Sequence, residues 1–221
     1  MKVKKFLWLC LLLALMLPLC GWGVKSPRRT TEINKTELII DDFEDGEYQK
    51  KPEWWAFDKV KLQVTPEKRL LIQGATNNWY VGGFGIYLAK ENQDLSKYTS
   101  LDLDVYGYGL NSGILKIELY DDDNGNWQIE QDMAKGYAPI YDDRFVYELK
   151  VDWKGFKHVS IPIEEFVDNN PEAGDNVWNP QQLGGSGGLL QMQFIVMATS
   201  KTGKVEMELD NIKLVEAGAR R

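Results

Sequence analysis

Cysteine is nearly absent from this chain: its 221 residues hold two, Cys10 and Cys20, and both lie in the N-terminal leader. Everything after position 20 is therefore expected to fold without an internal disulfide. Histidine is scarcer still, with His158 alone. One imidazole excludes a multi-histidine metal centre, and any Ser-His-Asp arrangement would have to use it. Its place in a strand, opposite the apolar Val159 and Ile161 positions, makes it a surface residue. Positive charge is also short. Of the 26 basic residues three lie in the leader, leaving 23 against 33 acidic ones and a net charge of −10. So acidic a chain has no broad attraction for nucleic acid or an anionic membrane surface. Helical periodicity of useful length is missing, as is any internal repeat. The glycine run at 184–188 lacks the Lys-Ser/Thr of a phosphate loop.

What the chain does have begins with an export leader. Lys2, Lys4 and Lys5 precede an apolar run from Phe6 to Leu17, followed by Leu17-Pro18-Leu19-Cys20-Gly21. The run is shorter than the roughly 20 apolar residues of a membrane span and has the layout of a signal peptide. Cys20, with Leu17 three residues before it, is a candidate for lipidation. Residues 1–20 thus read as a lipoprotein-type signal, 21–36 as a polar tether and 37–217 as the folded domain. The chain is expected to be exported to a bacterial cell envelope and to meet the membrane only through its lipid anchor.

From Glu37 onward the pattern is of strands. Leu38–Phe43, Trp54–Phe57, Lys61–Val64, Arg69–Gln73, Trp79–Leu88, Leu101–Val105 and Ile114–Tyr120 alternate or run apolar between turn residues. Asp121-Asp-Asp-Asn-Gly125 reads as a polar hairpin tip leading into a strand at Trp127–Glu130. Phe145–Val151 and Phe156–Ile161 are expected to pair as a second hairpin around Trp153-Lys-Gly155, with one helical turn near Ile163–Val167. Leu189–Ala198 is a central strand, and Val205–Leu214 is the last. About ten short strands with regular turns predict an all-β sandwich of two antiparallel sheets.

Three groups of residues carry possible chemistry. Asp42 and Glu44 near the first strand and Asp210 in the last would meet if those strands are neighbours, giving an oxygen-rich site suited to Ca²⁺. Asp121 to Gly125 also resembles a calcium loop, but its glycine comes one residue early for the EF-hand pattern, so the hairpin tip is preferred. Aromatic residues beside amide side chains form the second group: Trp79 with Asn77 and Asn78, Trp127 with Asn126 and Gln128, Trp178 with Asn176 and Asn179. Tyr106 and Tyr108 flank Gly107. Flat sugar C–H faces stack on such rings while hydroxyls bond the neighbouring amides. The third group is Glu206, Glu208 and Asp210 on one strand face, with Asp102 and Asp104 similar. Their alternation with Val205, Met207 and Leu209 marks them as solvent-facing, so no active site and no enzymatic activity is expected.

The segments Asp41-Asp-Phe-Glu-Asp-Gly46, Leu101–Gly107, Trp153–Phe166 and Leu209-Asp-Asn-Ile-Lys-Leu214, in that order, resemble the galactose-binding-like jelly roll of family 11 carbohydrate-binding modules. Complex I intermediate-associated proteins look similar. The likeness spans about residues 38–216. It implies a noncatalytic jelly-roll module holding a β-glucan-like polysaccharide in a cleft on one sheet, with structural Ca²⁺ at Glu44 and Asp210, joined by Asp42. It also places Trp79, Tyr80 and Trp178 near cleft aromatics, while Trp127 and Tyr106 are added from the residue pattern alone. The second relative implies the alternative, a module that presents a sandwich face to a protein partner.

Overall fold

The computed structural model describes residues 37–90, 93–181 and 188–216; the expected leader and tether with Cys20, and most of the glycine run 184–188, lie outside the described residues. Fourteen strands follow one another. β1 (Glu37–Asp41), β2 (Trp54–Asp58), β3 (Lys61–Val64), β4 (Leu70–Thr76) and β5 (Tyr80–Tyr87) come first. The long β6 (Tyr98–Tyr108) and β7 (Gly113–Asp121) precede two-residue pieces, β8 (Gln131–Asp132) and β9 (Ala138–Pro139). β10 (Asp143–Val151), β11 (Lys154–Pro162), the short β12 (Val167–Asp168), β13 (Leu189–Met197) and β14 (Gly203–Glu216) complete the order. Among the described residues there is no α-helix, only 3-10 turns at Met133–Lys135 and Ile163–Glu165.

Two six-stranded antiparallel sheets form a jelly-roll β-sandwich. The first runs β11-β6-β14-β4-β3, with β1 paired to the far end of β14; the second runs β12-β10-β7-β13-β5-β2. First and last strands are thus neighbours, with Leu38 opposite Leu214. Period-2 alternation decides what faces inward. Leu101, Leu103 and Val105 of β6 and Val205, Met207 and Leu209 of β14 meet Leu115, Ile117 and Leu119 of β7 and Met192, Phe194 and Val196 of β13, all buried. An aromatic group closes one side: Phe84 stacks on Phe194 at 4.8 Å, and Trp54 lies 6.0 Å from Phe194. The Trp54 indole donates to Asp41 Oδ2 at 2.8 Å, which satisfies a buried carboxylate without any metal.

Three local expectations need correction. Trp127–Glu130 is not a strand. The Asp122 carboxylate accepts from the N–H of Gly125 and Trp127 at 2.9 and 3.3 Å, and Trp127 takes φ 62°, so the chain curls instead of pairing back. β10 and β11 do not form a hairpin either. β10 pairs with β7 and β12, β11 with β6, and Asp152-Trp153 carries the chain across between sheets. Trp153 is held there by packing on the core and by its indole bond to the Val105 carbonyl at 3.4 Å. Lastly, Glu208 and Asp102 are not solvent-facing, each being only 6% exposed. Arg69 and Tyr108 cover Glu208, and Ser100, Ser160 and His158 bond Asp102, so both acids are structural.

Candidate functional site

The outer face of the second sheet carries a groove. Directly paired residues share a face, so the register aligns Trp55 with Gly85 and Phe57 with Gly83, then Gly85 with Gln193 and Gly83 with Ile195. Gln193 faces Glu118, and Ile195 faces Lys116, on the next strand. The two glycines are there for space. A Cβ on Gly83 would sit 2.3 Å from the Phe57 ring, and one on Gly85 would sit 2.7 Å from the Trp55 ring. Both rings therefore lie low over β5 and make one wall.

The opposite wall comes from the excursion between β7 and β10, which brings Gln131, Gly136 and Tyr137 over the sheet. Together they enclose a hollow of about 720 Å³, with Tyr80 and Asp58 at one end. A second hollow of about 300 Å³ continues past Tyr87, Ile129 and Gln191, and Trp55, Gln131 and Gln193 line both. From Tyr80 to Tyr87 the strand covers roughly 23 Å at about 3.3 Å per residue. That length suits a chain-like ligand better than a single small molecule.

The floor is polar and ordered. Glu118, buried, accepts from Lys116 Nζ at 2.9 Å, from the Tyr120 hydroxyl at 2.8 Å and from Gln193 Nε2 at 3.0 Å. Gln191 Nε2 donates to Gln193 Oε1 at 3.2 Å, extending the row. Arg144 lines the groove too, its Nε buried and without a partner. Tyr80 donates to Asp58 Oδ2 at 2.6 Å; burial, with Asp58 beside it, raises the Tyr80 hydroxyl far above its ordinary pKa. Burial also raises Tyr87, whose hydroxyl donates to the Trp127 carbonyl. Aromatic walls above a fixed row of amide, hydroxyl, carboxylate and cationic groups suit a polyhydroxylated ligand with apolar faces.

The expected site residues are not all gathered there. Tyr80 lines the groove, and Trp127 touches its rim through Tyr87. Trp79 sits on the β4–β5 turn at φ 69°, half-exposed, and its backbone ties to Lys201 and Ala198. Trp178 packs edge-on against Phe145 at 5.6 Å and lines a separate hollow with Tyr98 and Phe166. Tyr106 stands on the other sheet, 5.0 Å from the rings of both Tyr108 and Phe156. Trp55, Phe57, Tyr87, Glu118, Tyr120, Gln191, Gln193 and Arg144 were not singled out from sequence. The available signal was the alternation Lys116-x-Glu118-x-Tyr120 and Gln191-x-Gln193, polar residues inside otherwise apolar strands.

The acids fall into two neighbourhoods. At the chain ends, the Glu44 and Asp104 charges help burial raise the Asp210 carboxyl, while Asp42 Oδ1 accepts the Glu44 N–H at 3.3 Å. Asp42, Glu44 and Asp210 do not form a trio with close oxygens. Among the described residues that arrangement belongs to Asp123, Asp143 and Asp175, whose carboxylate oxygens lie within 4.8 Å of one another. Asp121, Asp122, Asp142 and Asp143 there are fully buried, so the base of the polar tip expected from sequence lies in the interior while Asn124 at its apex is exposed. Burial first, then mutual repulsion, pushes Asp121 up to about 8, Asp123 to about 7, and Asp143 to about 6. Asp142, also desolvated, is pushed to about 7. Carboxyls raised in this way favour the folded chain while protonated, and they withdraw that stability as pH climbs from their unfolded value towards 8.

The fold defines a class, the jelly-roll β-sandwich of two antiparallel sheets. No known protein-family model and no curated protein sequence matches the chain. Among solved structures it is similar to the family 11 carbohydrate-binding module of the cellulosomal cellulase Lic26A-Cel5E of Clostridium thermocellum, at TM-score 0.52 and 18% identity, over 82% of this chain and 95% of that one. A family 11 module from Clostridium thermocellum in complex with a β-1,3-1,4-mixed-linked tetrasaccharide matches at 0.52 and 19%, over 82% and 96%. The agarase AgWH50C matches at 0.50 and 10%, over 84% of this chain and 25% of that one. At these identities the likeness is one of fold.

Proposed function

We propose that this chain binds a β-glucan-like polysaccharide, without hydrolysing it, in the groove on the outer face of the second sheet. The observation that carries the reading is the Trp55–Phe57 wall facing the bonded row Lys116, Glu118, Tyr120 and Gln193. The rings offer stacking surfaces, and the row offers fixed donors and acceptors for hydroxyls. The fold likeness to a module solved with a mixed-linked tetrasaccharide supports the ligand class. Glu118 is engaged by three partners, and no step of hydrolysis is assigned to it. Native electrophoresis of the purified chain through gels containing β-glucan, xylan, mannan or no polymer tests this. Retardation is expected in β-glucan; unretarded migration in every polymer removes the reading.

The same proposal includes export and anchoring through Cys20, which puts the groove at the cell envelope. Labelled palmitate should enter the wild-type chain in cells and be lost in Cys20→Ser; equal labelling contradicts it. It also includes a structural Ca²⁺ at Glu44 and Asp210, joined by Asp42, a site that the resemblance to family 11 modules implies. A second reading, contact with a protein partner, draws on the first sheet. There Phe156, 53% exposed, packs with Tyr106, and the Arg69 guanidinium lies 4.7 Å from its ring centre.

A further inference from the structure

The excursion that walls the groove leaves β7 at Asp121 and returns to β10 at Asp143, and both ends meet in one acidic cluster that runs from the buried Asp143 to the exposed Asp175. Its hydrogen bonds account for only part of its oxygens. Asp121 is satisfied by two backbone N–H groups, those of Asn179 at 2.8 Å and Gly188 at 3.1 Å. Asp123 Oδ2 accepts the Asp143 N–H at 3.0 Å, and Asp143 Oδ2 accepts the Val177 N–H at 3.1 Å. The other oxygen of each, Asp123 Oδ1 and Asp143 Oδ1, is buried with no partner, as is Asn179 Oδ1. Asp143 is wholly inaccessible, so solvent does not satisfy it. No ion pair among the described residues involves Asp121, Asp123, Asp142, Asp143 or Asp175.

A buried oxygen left without a donor destabilises the fold, and more so when it is charged. Here one carboxylate oxygen each of Asp123, Asp143 and Asp175 lies within 4.8 Å of the others, and no counter-charge stands among them. The unpartnered Asp143 Oδ1 sits beside Asp123 Oδ2, an arrangement that calls for a cation even though both Asp175 oxygens accept hydrogen bonds, from Val177 N and Asn179 Nδ2. The backbone is shaped to admit the convergence: at Gly174, φ 72°, a Cβ would lie 1.9 Å from Asp143 Oδ1 and 2.5 Å from Asp123 Oδ2. Any side chain there would fill the space between the carboxylates and the loop that carries Asp175. The donors are all carboxylate oxygen, with no nitrogen or sulfur ligand among them. Hard, flexible oxygen coordination is the preference of Ca²⁺, which takes 6–8 such ligands, whereas Mg²⁺ demands near-ideal octahedral geometry and retains its waters.

We propose that Asp123, Asp143 and Asp175 hold a Ca²⁺ ion, and that the ion ties both ends of the 122–142 excursion to the 174–179 loop. The exposed Asp175 is the side from which the ion enters and from which water completes its shell. This site is separate from the one at Glu44 and Asp210, and it does not depend on the groove binding sugar.

Calorimetric titration of the EGTA-stripped full chain with CaCl₂ tests the assignment, with Asp143→Asn, Asp175→Asn and Asp210→Asn alongside. Asn keeps the Val177 acceptor at position 143, and position 175 is exposed, so Asp175→Asn remains informative if Asp143→Asn does not fold. The expected result is Ca²⁺ binding in the wild type and in Asp210→Asn, with at least a tenfold loss of affinity at this site in Asp175→Asn. Wild-type Ca²⁺ binding that Asp175→Asn and Asp143→Asn leave unchanged would overturn the proposal. So would binding abolished only by Asp210→Asn, or a wild-type chain that takes no Ca²⁺.

Discussion

Trp55→Ala should lose polysaccharide binding while leaving the fold in place. Its ring lines both hollows of the groove, so its removal opens the stacking wall along the whole length. Burying a large apolar side chain against a partner contributes about 1.5–3 kcal/mol. Loss of that contact weakens affinity about ten- to a hundredfold. The fold should tolerate the change, because Trp55 is half-buried on the outer face of edge strand β2, and its neighbour Trp54 supplies the core contact. Titration calorimetry with a soluble oligosaccharide measures the loss, and a thermal melt within about 5 °C of wild type shows that the sandwich is intact. An affinity unchanged within twofold would remove Trp55 from the site.

Phe194→Ala should have the opposite profile, a large cost in stability. Phe194 is fully buried at the centre of β13, stacked on Phe84 with an interplanar angle of 6° and flanked by Trp54. Truncating such a ring costs about 3–5 kcal/mol through lost transfer energy and the cavity left behind. Against a total of about 5–15 kcal/mol this is a large share. For a domain of this size it lowers Tm by roughly 6–20 °C. Urea unfolding should show an earlier midpoint at an unchanged slope, and Phe194→Leu should recover most of the loss. A cost below about 1 kcal/mol would contradict a core closed by this aromatic group.

Why the fold was readable and the groove was not follows from the same periodicity. The alternation of Leu101, Leu103 and Val105, or of Val205, Met207 and Leu209, marks inward faces whatever the strand order. A groove is different, since it is assembled from outward residues of β2, β5, β13 and β7, strands that are not consecutive in the chain. Nothing local shows that Lys116 will stand beside Ile195. In the pair Trp54-Trp55 a single step of register sends one indole to the core and the other to the ligand face. Gln191 and Gln193 sat inside a run that read as a central strand, although their spacing put both on one face.

The amide neighbours that favoured Trp79 and Trp127 had another cause. Asn78 and Asn126 lie in turns. The Asn126 side chain accepts the Gln128 N–H at 2.8 Å, and Thr76 bonds both the backbone and the side chain of Asn78. Both tryptophans take positive φ at those turns. Asparagine beside an aromatic marked chain reversal here as much as any hydroxyl partner. The acids gave a similar lesson: the run at Asp121 is polar in composition, yet β7 and β10 draw Asp121 and Asp122 into the interior with Asp142 and Asp143, and the exposed Asp175 reaches the cluster from a distant position.

The measurement that bears most directly on the groove is native electrophoresis of wild type, Trp55→Ala and Tyr106→Ala side by side in a β-glucan gel. The expected result is retardation of wild type and of Tyr106→Ala, with Trp55→Ala migrating as in the polymer-free gel. Retardation lost in Tyr106→Ala and kept in Trp55→Ala would move the site to the opposite sheet and contradict the account.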